Sequence, residues 1–573
     1  MSAKRKYFLS GHWLQFQAES AKHTKQIMSL SSNSQSGQYA SEELQNTEVD
    51  AKSLDWDDRF DPANPHNWPL WKKWSTAMVS ALLCLAVTMG SSLYMGAVPT
   101  LVKEYGVNQT LACAGLSLYL LGLATVVGAP LSEVFGRKPV YLISLPISLL
   151  FSLGVGLSNG RMAVILPMRL FSGIFASPAL SVASGTIVDI FDVDEVSVAM
   201  SLFCMAPFLG PVISPIMGGY AAENGGWRWV VWIRLISGGV LMPMLIVMPE
   251  THKYIILARR ARKRGVNLRK SRPGETRAFI KRTLTETLFR PIKMLVVEPI
   301  VLVFSVYVAF VFSVLFAFFE AYPTIFRGVY HFTMGQTGLT FIGISVGLWL
   351  GMMLYVWYDR KYFFPPAPPG TPLLANPQSI RDQPMRGRRD PETGQLVPLV
   401  PEMFLTVTKF GSLALPVALF WLGWSARPSV HWIVPALAGI PFGFGMILIF
   451  FSVLMYFTTT YPVLVVSSAF AANNLLRYVT SCVFPLFTIQ MYENLGIGWA
   501  SSVFGFISLA LVPVPWIFER YGKAMRHKSV FGYNAMATAR QQEENASEGQ
   551  LKLDHVTSSD PIKNKDLKED SQC

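Results

Sequence analysis

The chain has 573 residues, 51% hydrophobic and 15% charged, with a positive mean hydropathy, a balance that excludes an ordinary soluble globular protein. Its formal net charge of +13 does not mark a nucleic-acid partner, because the basic residues fall between apolar runs and form no stripe with stacking aromatics. Cys84, Cys113, Cys204, Cys482 and Cys573 are scattered without disulfide or metal-ligand spacing, so no metal and no cofactor is expected.

Residues 1–70 are polar and lack the apolar core of a signal peptide, so the first apolar run is expected to serve as the insertion signal. Just before it, "NPHNWPLWKKW" sets Trp68, Trp71 and Trp74 about one helical turn apart beside Lys72 and Lys73, which predicts a short segment lying in the headgroup layer. Runs long enough to cross roughly 30 Å of hydrocarbon as helices then recur twelve times. They lie at 75–98, 111–131, 140–157, 163–188, 197–220, 229–248, 300–322, 338–357, 404–424, 432–457, 463–487 and 499–518. The expected fold class is an all-α membrane protein with twelve transmembrane helices.

A hydrophilic stretch from Pro249 to Glu298 divides the spans six and six, and carries fourteen Lys or Arg between Lys253 and Lys293. Such a loop belongs on the cytoplasmic side, and twelve spans then place both termini there. The expected organisation is a cytoplasmic segment 1–73, a six-helix half 74–249, a basic loop 250–298 and a second half 299–520 with a cytoplasmic loop 359–403. A disordered cytoplasmic tail, 521–573, completes it. The Pro/Arg-rich stretch Pro365–Pro401 should be irregular, and Gln541–Cys573 is disordered by composition.

Several motifs stand out in chain order. Asn108-Gln109-Thr110 is a glycosylation sequon in an outside loop, close to the second span. In "APLSEVFGRKPVY", Gly136 is placed to cap the second helix and Pro139 suits the first turn of the third. Arg137 and Lys138 should then face the negative end of the second helix, fixing topology or, with Glu133, exchanging ion-pair partners as a cytoplasmic gate opens and closes. Arg169 in the fourth span should face a cavity or a partner, and Gly173, Ser177, Ser181 and Gly185 give that span a small-residue face.

The fifth span repeats the device. Ala206, Gly210, Ser214 and Gly218 line one stripe, with Gly219 beside it, while Pro207, Pro211 and Pro215 line the next and remove backbone donors. Arg234, two residues after Trp232 in the sixth span, is expected to snorkel outward. Glu320 in "FFEAYPTIF" is the carboxylate candidate for a proton or cation site, although near a span end a solvated carboxylate serves equally. In the eleventh span Asn473 and Arg477 share a face with Asn474 adjacent, which suits a wet cavity better than lipid.

No GxxxxGK[ST] or HExxH motif occurs, and no GxSxG sits at a strand-to-helix elbow, so the expectation is a gradient-driven protein and not an enzyme. The residues above resemble a major facilitator superfamily transporter, and specifically a fungal member of the twelve-span drug:proton antiporters, over roughly residues 60 to 530. "APLSEVFGRKPVY" resembles the signature turn between spans two and three, Arg169 and Gly173 the fourth-span RxxxG signature, and "LGPVISPIMGGY" the antiporters' fifth-span motif. "MPETHKY", "GQTGLTFIGISVG", "FWLGWSARPSVHWIVP" and "PLFTIQMYENLGIGWASS" are similar to the fungal branch that includes polyamine exporters and multidrug pumps.

The resemblance implies the major facilitator fold of two six-helix halves around a central cavity, with alternating access and proton antiport. Two departures carry information. Val196 follows Glu195 where the family has an arginine, and "MYFTTTYPV" has Met455 and Thr459 where the branch has an Asn-Tyr-…-Asp pattern. An acid-poor cavity favours a neutral or anionic cargo over a polycation. The expectation is a monomeric plasma-membrane exporter of small organic molecules, partnered by substrate, protons and the lipid bilayer, with a polyamine exporter as the alternative within transporters and a non-transporting receptor as the alternative outside them.

Overall fold

Prolines and glycines set the helix boundaries. The first span begins after Pro69 and runs Leu70–Ser92, continuing through a 3-10 turn, Leu93–Ala97, into Val98–Tyr105, where Gly106 ends it in the left-handed region. In this computed structural model residues 54–58, 61–125, 128–265, 289–368, 386–390, 394, 396–397 and 399–532 are described. The expected N-terminal segment up to residue 53, the middle of the basic loop, most of the Pro/Arg-rich stretch and the tail Gln541–Cys573 lie outside the described residues.

The second span comprises Gln109–Leu123 and Gly128–Phe135, and the third to sixth are Arg137–Gly156, Met162–Val188, Val193–Gly225 and Trp227–Val247. The seventh is Pro299–Tyr322, extended by one wide turn, Pro323–Arg327. The eighth pairs Met334–Leu339 with Ile342–Tyr358, the ninth is Leu405–Ser425, and the tenth joins Ile433–Leu437 to Gly439–Thr460. Spans eleven and twelve form Val463–Leu511, broken only at Gly496 (φ 74°), and Val514–His527 follows. Among the described residues ten helical stretches are long and apolar enough to cross a membrane, Gln109–Leu123 is a shorter apolar one, and the last of the ten holds two spans on either side of Gly496. The protein therefore has the all-helical, twelve-span architecture that the apolar runs predict.

One expectation needs correction. The tryptophan-rich approach is not a separate segment: only Pro65–Asn67 forms a short turn, and Trp71 and Trp74 already belong to the first span, with Trp71 exposed and Trp68 buried under the Lys72 ammonium at 3.9 Å. The basic loop is partly helical, at Lys253–Lys263 and over residues 289–297. Lys253–Lys263 and residues 54–57 form a unit of their own, in which Lys253 pairs with Asp55 at 2.8 Å, and Arg260 (3.3 Å) and Arg264 both reach Asp57. The hydrogen bond from Arg264 holds the Asp57 carboxyl below its ordinary range. By contrast, the described parts of the Pro/Arg-rich stretch are irregular up to the 3-10 turn at Pro401, apart from one antiparallel bridge, Arg389 to Leu396.

Association between apolar helices in lipid depends on close packing, because lipid is as apolar as leucine. The first span packs on the fifth, the second and third on the fourth, the seventh on the eleventh, and the eighth and ninth on the tenth. The two halves meet where the second span lies on the eleventh and the fifth on the eighth. The seventh span is interior, with every residue from Tyr307 to Tyr322 buried, whereas the sixth exposes Ile236, Val240 and Val247. The bundle has a basic end, which carries Gly136, Asp189 and Glu250, and a far end, which carries Asn108 and Arg327.

Candidate transport site

At the basic end, Gly136 sits at φ 97° and donates its N–H to the Ser132 carbonyl at 3.0 Å, closing the second helix as its sequence position predicts. A Cβ there would lie 2.5 Å from Glu250 Oε2. Arg137 and Lys138 follow directly on that helix's end. They begin the third helix, and the Glu250 carboxylate caps it by accepting from the Arg137 N–H at 2.9 Å and the Lys138 N–H at 3.3 Å. Glu250 also accepts from the N–H groups of Thr251 and His252.

The Arg137 guanidinium donates to Asp189 Oδ2 at 3.1 Å and to Ser132 Oγ at 2.5 Å, and it packs against Gly185. Lys138 Nζ donates to the Ile246 carbonyl at 2.6 Å, at the end of the sixth span. Burial, reinforced by Arg137, pushes the His252 imidazole below its ordinary value, so it adds no positive charge to this cluster at neutral pH. Glu133, by contrast, is exposed and makes no ion pair among the described residues. The acid that answers Arg137 is Asp189, and the whole cluster ties spans two, three, four and six of one half.

Further in, Arg169 is buried and fully engaged. It donates to the backbone carbonyls of Gly115 (3.1 Å), Gly90 (2.8 Å) and Ser91 (3.0 Å), and stacks between Tyr94 and Tyr119 at 4.6 and 4.5 Å. It thus links spans one, two and four. On the same span, a Cβ on Gly173 would meet the Tyr119 carbonyl at 2.3 Å, and Ser177 bonds Thr125 at 2.8 Å, so the small-residue face lies against the second span. The fifth-span stripe meets the first span: a Cβ on Gly210 would lie 2.3 Å from Thr88 Oγ1, Ser214 donates to the Met89 carbonyl at 3.1 Å, and Gly218 faces the Leu93 carbonyl. On the opposite side, Gly219 touches Met334, and the Pro215 carbonyl nearly meets Gly338 of the eighth span, so the Pro211 stripe faces the other half.

The centre holds what the sequence signals only in part. Arg477 and Asn474 come together, Nη2 to Oδ1 at 2.8 Å, while the buried Asn473 amide makes no hydrogen bond among the described residues. The Arg477 guanidinium is ringed by Phe312 (4.6 Å), Tyr478 (4.8 Å), Phe450 (5.0 Å) and Phe208 (5.8 Å), and its Nε and Nη1 are without partners among the described residues. These rings come from spans five, seven, ten and eleven. Towards the far end, Glu320 is buried, not solvated, and accepts a hydrogen bond from the Cys113 thiol of the second span at 2.9 Å. An apolar cavity of about 450 Å³ opens between spans two, four and eleven, lined by Leu121, Leu170, Ile174, Leu475 and Val479. Asn108 caps the second span by accepting from the Thr110 N–H at 3.0 Å, and the sequon's Thr110 hydroxyl lies 2.9 Å from the Gln490 side chain.

A family model described as Major Facilitator Superfamily matches residues 80–485. The chain belongs to the Major Facilitator Superfamily. Polyamine transporter 4 of Saccharomyces cerevisiae is 61% identical over 516 residues, covering 89% of this chain and 78% of that protein. The multidrug transporter mdrA of Aspergillus fumigatus is 37% identical, covering 86% and 78%, and Efflux pump FUB11 of Gibberella moniliformis 35%, covering 83% and 77%. Among solved structures, the xylose transporter XylE from E. coli superposes with a TM-score of 0.53 at 15% identity, covering 78% of this chain and 98% of that one, a likeness of fold.

In this Major Facilitator Superfamily transporter, sequence reasoning missed Asp189, Glu250, Asp359 and the four rings around Arg477. Asp359 is fully buried at the basic end, where Ser197 of the fifth span donates to it at 2.7 Å, so it bridges the halves. Beside Arg360 and Lys361 it reads in sequence as flanking charge. Phe208, Phe312 and Phe450 read as ordinary span residues, and only the eleventh-span arginine hinted at what they surround.

Proposed function

We propose that the protein is a proton-coupled exporter of small organic molecules, seated in the plasma membrane with its basic end and both termini cytoplasmic. The observation that carries this reading is Glu320, a buried carboxylate joined to Cys113 across the contact between the halves. A charge change at that place acts on the contact itself. The fourteen Lys or Arg of the loop between the halves support the orientation. Asp359 and Ser197 at one end, and Glu320 and Cys113 at the other, are among the contacts that alternating access has to break in turn.

The sequence alone places polycations second among cargoes. The 61% identity with a polyamine transporter supports placing them first, and buried carboxylates between the halves, Glu320 and Asp359 among them, suit a cargo with several ammonium groups. The second reading, lipophilic organic molecules, draws on the aromatic ring around Arg477, whose fixed cation disfavours another cation at the centre. The test is efflux of labelled spermidine and of a lipophilic drug from cells expressing the protein, with and without an uncoupler. Uncoupler-sensitive spermidine efflux is the expected result, and efflux indifferent to the uncoupler overturns proton coupling.

Within this proposal the Arg137 cluster holds the basic end of the first half as one body through the transport cycle. Arg137→Ala removes a partly buried charge-assisted bond to Asp189 and should lower flux roughly tenfold at unchanged surface amount, the factor that about 1.4 kcal/mol represents. Flux normalised to surface labelling measures it. Normal flux rejects the role.

A further inference from the structure

We infer that the first half binds a small monoatomic anion of the halide class between the guanidinium groups of Arg234 and Arg169. Sequence reasoning expects Arg234 to snorkel outward, yet its side chain turns inward from the sixth span and is only 3% exposed. Its Nε, Nη1 and Nη2 have no hydrogen-bond partner among the described residues, and neither does the Tyr94 hydroxyl. Gly90, Tyr94, Arg169 and Arg234 together line a cavity of about 20 Å³. Gly90 permits the approach, since a Cβ there would lie 2.4 Å from Arg234 Nε.

The charge balance points to an anion. Arginine keeps its charge in a protein, and an unpaired buried charge is costly. None of the residues lining the cavity is acidic, and neither guanidinium makes an ion pair among the described residues. The two groups are not equivalent. Arg169 has each nitrogen on a backbone carbonyl and its faces on two tyrosines, whereas Arg234 has all its donors to give. A water satisfies donors without neutralising charge. A cavity of this size favours one occupant near the size of a water, and a halide is the smallest anion that both accepts from these donors and offsets their charge.

The inference is independent of cargo and of proton coupling. The test uses the purified full chain in detergent, exchanged into sodium gluconate and titrated with sodium chloride or bromide at constant ionic strength, with thermal unfolding as the readout. A saturable rise in Tm of roughly 3 °C is expected with either halide, and none with sulfate. Arg234→Gln should lose the halide response. Should that variant fail to fold, bromide anomalous scattering from crystals of the unaltered chain decides, with a peak beside Arg234 expected. Equal melting in gluconate and chloride, an unchanged halide response in Arg234→Gln, or no bromide peak at Arg234 overturns the inference.

Discussion

Glu320→Gln is expected to lower gradient-driven efflux about a hundredfold while leaving cargo counterflow, which needs no net proton movement, close to normal. The substitution keeps the size of the side chain and an acceptor for the Cys113 thiol, and removes only the ability to gain and lose charge. Glu320 has no ion-pair partner among the described residues and sits beside Phe319 and Tyr322 in a span whose interior residues are nearly all buried. An ionised carboxylate so placed needs compensation, from a proton or from a cationic cargo. Its bond to Cys113 joins span seven of one half to span two of the other, so the compensating event coincides with making or breaking that contact. The measurement is efflux from proteoliposomes under an imposed pH gradient, with counterflow assayed in the same preparation. Unaltered dependence on the gradient removes Glu320 from the coupling step and leaves Asp359, a fully buried carboxylate between the halves, as the residue to replace next.

The fold was legible because crossing a membrane leaves a plain signature: each span must be helical and apolar over a known length, and twelve such runs are visible. Boundaries moved where the chain gives weaker signals, as at the first span, whose Pro69 start lies before Trp71 and Trp74, and at Gly496, where one residue turns the chain between two spans. Charged residues inside spans were legible as unusual, since Arg169, Glu320 and Arg477 each interrupt apolar sequence. Their partners were not, because partners depend on which helices meet. Arg137 and Asp189 are 52 residues apart, and Glu250 caps a helix 113 residues before it. The snorkelling expected of Arg234 failed for the same reason: its inward neighbours, Gly90 and Tyr94, belong to another helix.

Gly210→Leu should abolish recovery of folded protein, whereas Gly239→Leu should be silent. A Cβ at position 210 would already lie 2.3 Å from Thr88 Oγ1, 2.8 Å from the Leu85 carbonyl and 2.9 Å from the Met89 nitrogen, and two of these three are backbone atoms that cannot rotate away. Leucine adds three more carbons, so spans one and five must part, and the Ser214 bond to the Met89 carbonyl goes with them. Overpacking of this kind costs about 3 kcal/mol, with no hydrophobic gain in lipid to offset it. The displacement also reaches the other half, because the opposite side of span five meets Met334 and Gly338. Gly239 is exposed on the sixth span and a Cβ there meets nothing within 4 Å, so the same change of residue tests position and not chemistry. Size-exclusion profiles of detergent-extracted protein read both variants, and Gly210→Ala should fall between them. Equal recovery and turnover for Gly210→Leu and Gly239→Leu would show that spans one and five do not pack this closely.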